Sequence, residues 1–169
     1  DFAVVRLQLA RLLIAKGSIR DAEQELVSGL DAVPTYAEAT LELASLRREV
    51  GRAGEALPLL IDLLHRDPYH FDALIALGET LLALGRMPDA ETAFGRLLRF
   101  DASHIGALYH TGALFVEQKR YRDAIERWTK VLSLAPASEY AKRARREVGT
   151  ATDLERIFCD RDLLVGSSS

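Results

Sequence analysis

Apolar positions along the chain fall into helical stripes separated by short breaks. In the stretch that begins at Thr35, apolar residues recur at helical spacing through Leu41, Leu43, Leu46 and Val50. Gly51 then interrupts the stripe, and a second one runs through Ala56, Leu57, Leu60, Leu63 and Leu64. Pro68 ends it, because proline cannot continue a helix and disfavours helical geometry in the residue before it. The pattern predicts two helices joined by a tight turn. Gly17, Gly85 and the pair Lys119-Arg120 mark equivalent turns elsewhere.

The same unit repeats. Ala22, Ala56, Ala90 and Ala124 lie 34 residues apart, as do Leu30, Leu64, Leu98 and Leu132. Pro34, Pro68 and Pro136 keep that spacing, with Ala102 in the slot where proline is missing. An acidic residue precedes each alanine: Asp21, Glu55, Asp89 and Asp123. The alanine must be small because two helices pass closely there, and the residue four positions on (Leu26, Leu60, Phe94, Trp128) fills the space beside it. Three markers that hold their register in this way define a repeat protein.

In the third repeat, Leu74, Leu77-Gly78, Leu81, Ala90 and Phe94 follow one pattern. Leu108, Gly112, Phe115, Ala124, Trp128 and Pro136 follow it in the fourth. This pattern resembles that of the tetratricopeptide repeat family. The departures are Thr111 in place of the usual leucine, Gly29 in a slot otherwise apolar, and Pro58 inside a second helix. Pro58 is expected to cost a backbone hydrogen bond and to bend or delay that helix. The resemblance implies an all-α fold, a right-handed α-solenoid of four helix-turn-helix repeats plus a C-terminal capping helix. The repeats span 3–36, 37–70, 71–104 and 105–138 within a domain 1–138, with capping helices over 139–160 and a flexible tail over 161–169.

The two ends differ in character. A partial fifth unit, Glu139 to Val148, places Lys142, Arg145 and Arg146 where core residues would sit, which suits a cap with a wet outer face. Leu154, Ile157 and Phe158 are expected to form a short amphipathic turn that folds back on this cap. At the other end Phe2, Val4, Val5, Leu7, Leu9, Leu12, Leu13 and Ile14 make the first helix apolar almost all round. Such a helix wants cover on both sides, from upstream sequence or a second copy. The chain starts at Asp1 without Met, and it reads as a piece of a longer protein.

Composition narrows the function. Apolar residues make up 49 % and charged residues 28 %, an ordinary globular balance. The net charge of −3, with no basic stripe along the whole chain, argues against a nucleic-acid partner. No apolar run is long enough for membrane insertion. Cys159 is the sole cysteine, so no internal disulfide or cysteine-based zinc site can form, and a reducing, cytoplasmic location is expected. Arginine supplies 18 of the 22 basic residues and asparagine is absent, a bias associated with bacterial coding sequences.

Catalytic candidates fail one by one. His65-Arg66-Asp67 resembles the start of a kinase catalytic loop but stands before Pro68 with none of the accompanying motifs. His65, His70, His104 and His110 do not pair at metal-ligand spacing. Cys159 has no evident base nearby in sequence. No phosphate-binding glycine motif is present. Neither catalysis, cofactor nor metal is expected. The cluster Lys142-Arg143-Arg145-Arg146 reads first as a solvated cap face, with an acidic partner or anionic lipid surface as the alternative.

The resemblance instead implies a non-enzymatic scaffold that binds a partner protein in a concave groove lined by the first helix of every repeat. Alternatives are a self-assembling structural module and the regulatory arm of a larger enzyme. Helical spacing assigns to the groove Leu7, Arg11, Glu38, Leu41, Glu42, Ser45, Asp72, Ile75, Glu79, Tyr109, His110 and Ala113. Val4, Gln8, Ile14, Ala15, Arg48, Glu49, Ala76, Leu82, Ala83, Gly106, Val116 and Glu117 complete the set. Leu7, Leu41, Ile75 and Tyr109 form an apolar stripe, and six acids face Arg11 and Arg48. An acidic rim around an apolar floor favours a basic, amphipathic peptide or helix. The plain alternative is that the acids only keep the surface soluble.

The resemblance also draws attention to the carboxylate clamp by which some members hold chaperone tails. In its slots this chain carries Leu7, Arg11, Glu42, Asp72 and Ala76, so the clamp is missing. Peptides ending in an acidic carboxylate tail are therefore expected not to bind, because Glu42 and Asp72 stand where the carboxylate must approach. A titration that gave micromolar affinity, abolished by Arg11→Ala, would refute this.

Overall fold

The computed structural model describes the backbone of residues 2–165 and the side chains of residues 2–158. Among the described residues there are nine helices and no strand. They are α1 (Phe2–Ala15), α2 (Ile19–Ala32), α3 (Ala37–Glu49), α4 (Ala53–Arg66), α5 (Phe71–Ala83), α6 (Met87–Phe100), α7 (Ile105–Glu117), α8 (Tyr121–Leu134) and α9 (Glu139–Val165). The second helices α2, α4, α6 and α8 begin 34 residues apart, at Ile19, Ala53, Met87 and Tyr121. This is the helical-repeat fold that the sequence period implies.

Pro58 does not delay its helix. α4 starts in the same slot as α2, α6 and α8 and runs on past the proline. The exposed ring points away from the core, and the Glu55 amide bonds the Arg52 carbonyl at 3.0 Å, a tightened first turn. The C-terminal part also departs from expectation. Instead of a cap, a turn folded back on it and a tail from 161, α9 is one helix from Glu139 to Val165. No proline interrupts this stretch, so the backbone ladder continues. Residues 166–169 of the expected tail, and the side chain of Cys159, lie outside the described residues.

Two compact units divide the chain, Asp1–Ala93 and Phe94–Ser169. In the first, α1 packs on α2, α2 on α3, α3 on α4, and α5 against both α3 and α4. Its core gathers Leu7, Ala10, Ala22, Leu26, Ala39, Leu43 and Leu46, with Ala44, Ala56 and Leu60 alongside. In the second unit, α7, α8 and α9 bury Leu108, Phe115, Ala124, Trp128, Val131, Ala141, Ala144 and Ala151. Ala22, Ala56, Ala90 and Ala124 are fully buried, as the close-packing argument requires.

Gly112 shows how close the helices come. A Cβ there would lie 2.6 Å from Trp128 Nε1 and 2.9 Å from two ring carbons. The indole N–H donates to the Tyr109 carbonyl at 3.0 Å, which fixes the ring in that gap. Thr111 fits its buried slot because its hydroxyl donates to the Ala107 carbonyl at 2.7 Å. Gly29 lies under the start of α1, where a Cβ would touch Arg6 Cβ at 3.4 Å.

The turn inside each repeat needs a left-handed residue. Gly17, Gly51 and Gly85 adopt φ of +79°, +80° and +71°, and Lys119 holds the same position at +60°. A lysine there carries a steric cost that glycine avoids. Replacing Lys119 by glycine is expected to stabilise the second unit by about 1 kcal/mol, even after allowing for glycine's greater unfolded-state entropy. Calorimetry should show a thermal midpoint higher by about 3 °C; a fall would mean that the lysine side chain makes a compensating contact.

Candidate binding surface

The first helices present the residues assigned to the groove, and the structure separates them. Leu7 is a correction: at 2 % exposure it belongs to the core, packed with Ala10, Ala22 and Leu26. The same slot is less buried in the later first helices, where Leu41, Ile75 and Tyr109 remain half-buried. The accessible apolar floor of the first unit is therefore Leu41 and Ile75, with Ala76 between α3 and α5.

The charges sort themselves by pairing. Arg11 Nε on α1 donates to Glu42 Oε2 on α3 at 3.0 Å. Arg48 on α3 bonds Glu79 on α5 in the same manner, 31 residues on in each case. Arg48 Nη2 also reaches Ser45 Oγ at 3.4 Å, and Ser45 donates to Glu49 at 3.1 Å. Both arginines of the face are thus held by two of its acids. Sequence spacing alone missed these pairs, although the recurrence of an acid 31 residues after each arginine was available to find them. Glu38 and Asp72 are exposed, and among the described residues neither has an ion-pair partner. They keep the face of α3 and α5 acidic, beside Leu41 and Ile75.

The second unit presents a different surface. His110 stacks on Phe94, with ring centroids 5.1 Å apart and planes 7° from parallel. Tyr109 meets Tyr140 at 5.3 Å, and His110 meets Tyr140 edge-on at 5.7 Å. Ala113 and Val116 pack partly buried against the core below. Burial pushes the Tyr109 hydroxyl above its usual range, the charge of Glu147 adds to the shift, and Arg143 and Arg146 oppose it. Phe94 and Tyr140 were absent from the sequence-derived set. Tyr140 was findable, since it lies one period after Gly106 in a first-helix slot.

Other candidates resolve into structural roles. His70 and His104 accept from the Ala73 and Ala107 amides at 3.3 Å through Nδ1, capping α5 and α7. Arg66 pairs with Asp62 at 3.0 Å, and Asp67 accepts from the Tyr69 amide at 3.1 Å, which is turn chemistry. Among the described residues no three His, Cys, Asp or Glu side chains gather as a metal site. No described helix is long and apolar enough to cross a membrane.

The outer face of α1 is open. Phe2, Val5, Leu9 and Leu12 are exposed by 55 %, 65 %, 42 % and 62 %. One period later Ala39, Leu43 and Leu46, the counterparts of Val5, Leu9 and Leu12, are all buried beneath α2.

Two tetratricopeptide repeat models match the chain, over residues 47–111 and 106–138. No curated protein sequence matches it. Among solved structures, MamA protein aligns with 98 % of this chain and 87 % of its own, at 21 % identity and a TM-score of 0.73. TTC0263, a thermophilic TPR protein in Thermus thermophilus, aligns with 88 % of this chain and 80 % of its own, at 19 % identity and 0.76. YrrB, a TPR protein with an unusual peptide-binding site, aligns with 85 % and 74 %, at 19 % identity and 0.68. At such identities these likenesses establish the fold.

A network that joins α2, α3 and the start of α4 in the first unit yields a pH dependence. Glu23 on α2 bonds both Arg52 and Arg47, and the Arg52 bond first, then Arg47, holds its carboxyl below the usual glutamate range against some desolvation. A depressed carboxyl stabilises the fold above its unfolded pKa, and that contribution disappears as pH falls through the folded value. Glu23→Gln should therefore melt lower than the parent at neutral pH, with the gap closing below the ordinary glutamate range. Parallel melting curves across acid pH would show that the network contributes nothing.

Proposed function

The chain belongs to the tetratricopeptide repeat family, and from that premise we propose that it is a non-enzymatic scaffold whose first-helix face binds a basic, amphipathic peptide or helix of a partner protein. The family supports a protein-interaction role in general. The finer reading rests on one observation: Glu38 and Asp72 stay exposed outside the Arg–Glu pairs, flanking the half-buried Leu41 and Ile75. A partner with apolar side chains on one stripe and cations beside it satisfies both features. A second reading, self-association through the first helix, is supported by the exposed apolar row on α1.

A Lys/Leu amphipathic model helix serves as the probe. The parent protein should bind it with micromolar affinity that weakens with salt. The double variant Glu38→Lys, Asp72→Lys should lose at least about tenfold in affinity, or roughly 1.4 kcal/mol, with unchanged melting. Binding unaffected by that variant, or equal affinity for an acidic Glu/Leu helix, would refute the acidic-face reading.

A further inference from the structure

We propose that the ligand of the face formed by α3 and α5 is an amphipathic helix lying across them, with cations seven residues apart along one edge of its apolar stripe. The inference rests on the acidic-face reading and gives the partner a pattern. Equivalent slots of the two helices hold the same chemistry twice. Leu41 and Ile75 stand one period apart, both half-buried, and each has an exposed acid three positions before it, Glu38 and Asp72. Residues at that spacing are neighbours on a helix surface, so acid and apolar residue share a face on each helix.

The opposite edge of this floor has another character. Four positions after Leu41 and Ile75 come Ser45 and Glu79. Glu79 is bonded to Arg48 of α3, and Arg48 Nη2 also lies 3.4 Å from Ser45 Oγ. A cation placed there meets a guanidinium and a carboxylate that is already engaged. One placed on the other edge meets Glu38 or Asp72. The face therefore attracts positive charge along one edge only.

Spacing selects the form of the partner. α3 packs directly against α5, and packed helices lie about 8–10 Å apart. Seven residues of an α-helix advance about 10.5 Å and return to nearly the same face. An extended chain covers that distance in three residues at about 3.3 Å each, which turns the matching side chain to the opposite side. A helix that repeats a cation beside an apolar residue after seven positions meets both units at once.

Calorimetric titration with three synthetic peptides tests the pattern. The first is a model helix with two lysines seven residues apart on one edge of a leucine stripe. The second has the same composition but places one lysine on each edge. The third repeats lysine and leucine every three residues on a polyproline frame. The first should bind about fivefold more tightly than the second. Glu38→Gln and Asp72→Asn should each weaken the first about threefold with little change in melting. Equal affinity of the two helices, both lost in Glu38→Lys with Asp72→Lys, overturns the one-edge pattern and leaves the acidic-face reading standing. Helix binding that ignores that double variant, or no binding at all, overturns both. Tighter binding of the polyproline peptide overturns the helical form.

Discussion

Each repeat depends on a close approach of two helices at an alanine. Ala22, Ala56, Ala90 and Ala124 have no exposed surface, and the residue one turn on fills the space beside each of them. Interaxial distance is set by the side chains at the contact, so a small residue lets the backbones approach and a large one fixes how they cross. The same logic puts Gly112 against the Trp128 indole, where even one methyl group has no room. With the crossing fixed, the left-handed turn before each second helix has little latitude, and its four residues share nearly the same φ.

On that frame, the first-helix faces acquire their charge by subtraction. Arg11 and Arg48 each reach the next first helix and neutralise one acid there. An exposed pair such as Arg11–Glu42 contributes only about 0.2–1 kcal/mol to stability. The pairs also take two cations and two anions out of the surface charge of the first unit and leave the acids Glu38, Glu49 and Asp72 exposed. The second unit has no such pair between α7 and α9 among the described residues, and its face is built from rings beside Arg143 and Arg146.

The ends of the chain obey one rule with opposite results. α9 buries Ala141, Ala144 and Ala151 and turns Lys142, Arg143, Arg145 and Arg146 outward, so further stacking there would bury charge. α1 exposes Phe2, Val5, Leu9 and Leu12, while the counterparts of the last three one period later, Ala39, Leu43 and Leu46, lie in the core.

The sequence by itself determined the helices, their period and their turns, because these depend on local rules: helical spacing of apolar residues, a left-handed turn position, a proline after the second helix. It also identified the buried alanines and the unusual first helix. It did not show that Leu7 is buried while Leu41, Ile75 and Tyr109 stay half-buried, since that depends on how each helix packs on its neighbours. It did not show the Arg–Glu pairs either, because their partners are 31 residues apart instead of one period of 34, and the pairing depends on how neighbouring first helices pack. Nor did it join Phe94 and Tyr140 to His110. Local periodicity places each residue on a face of its own helix; which faces meet, and at what offset, is decided by packing between helices.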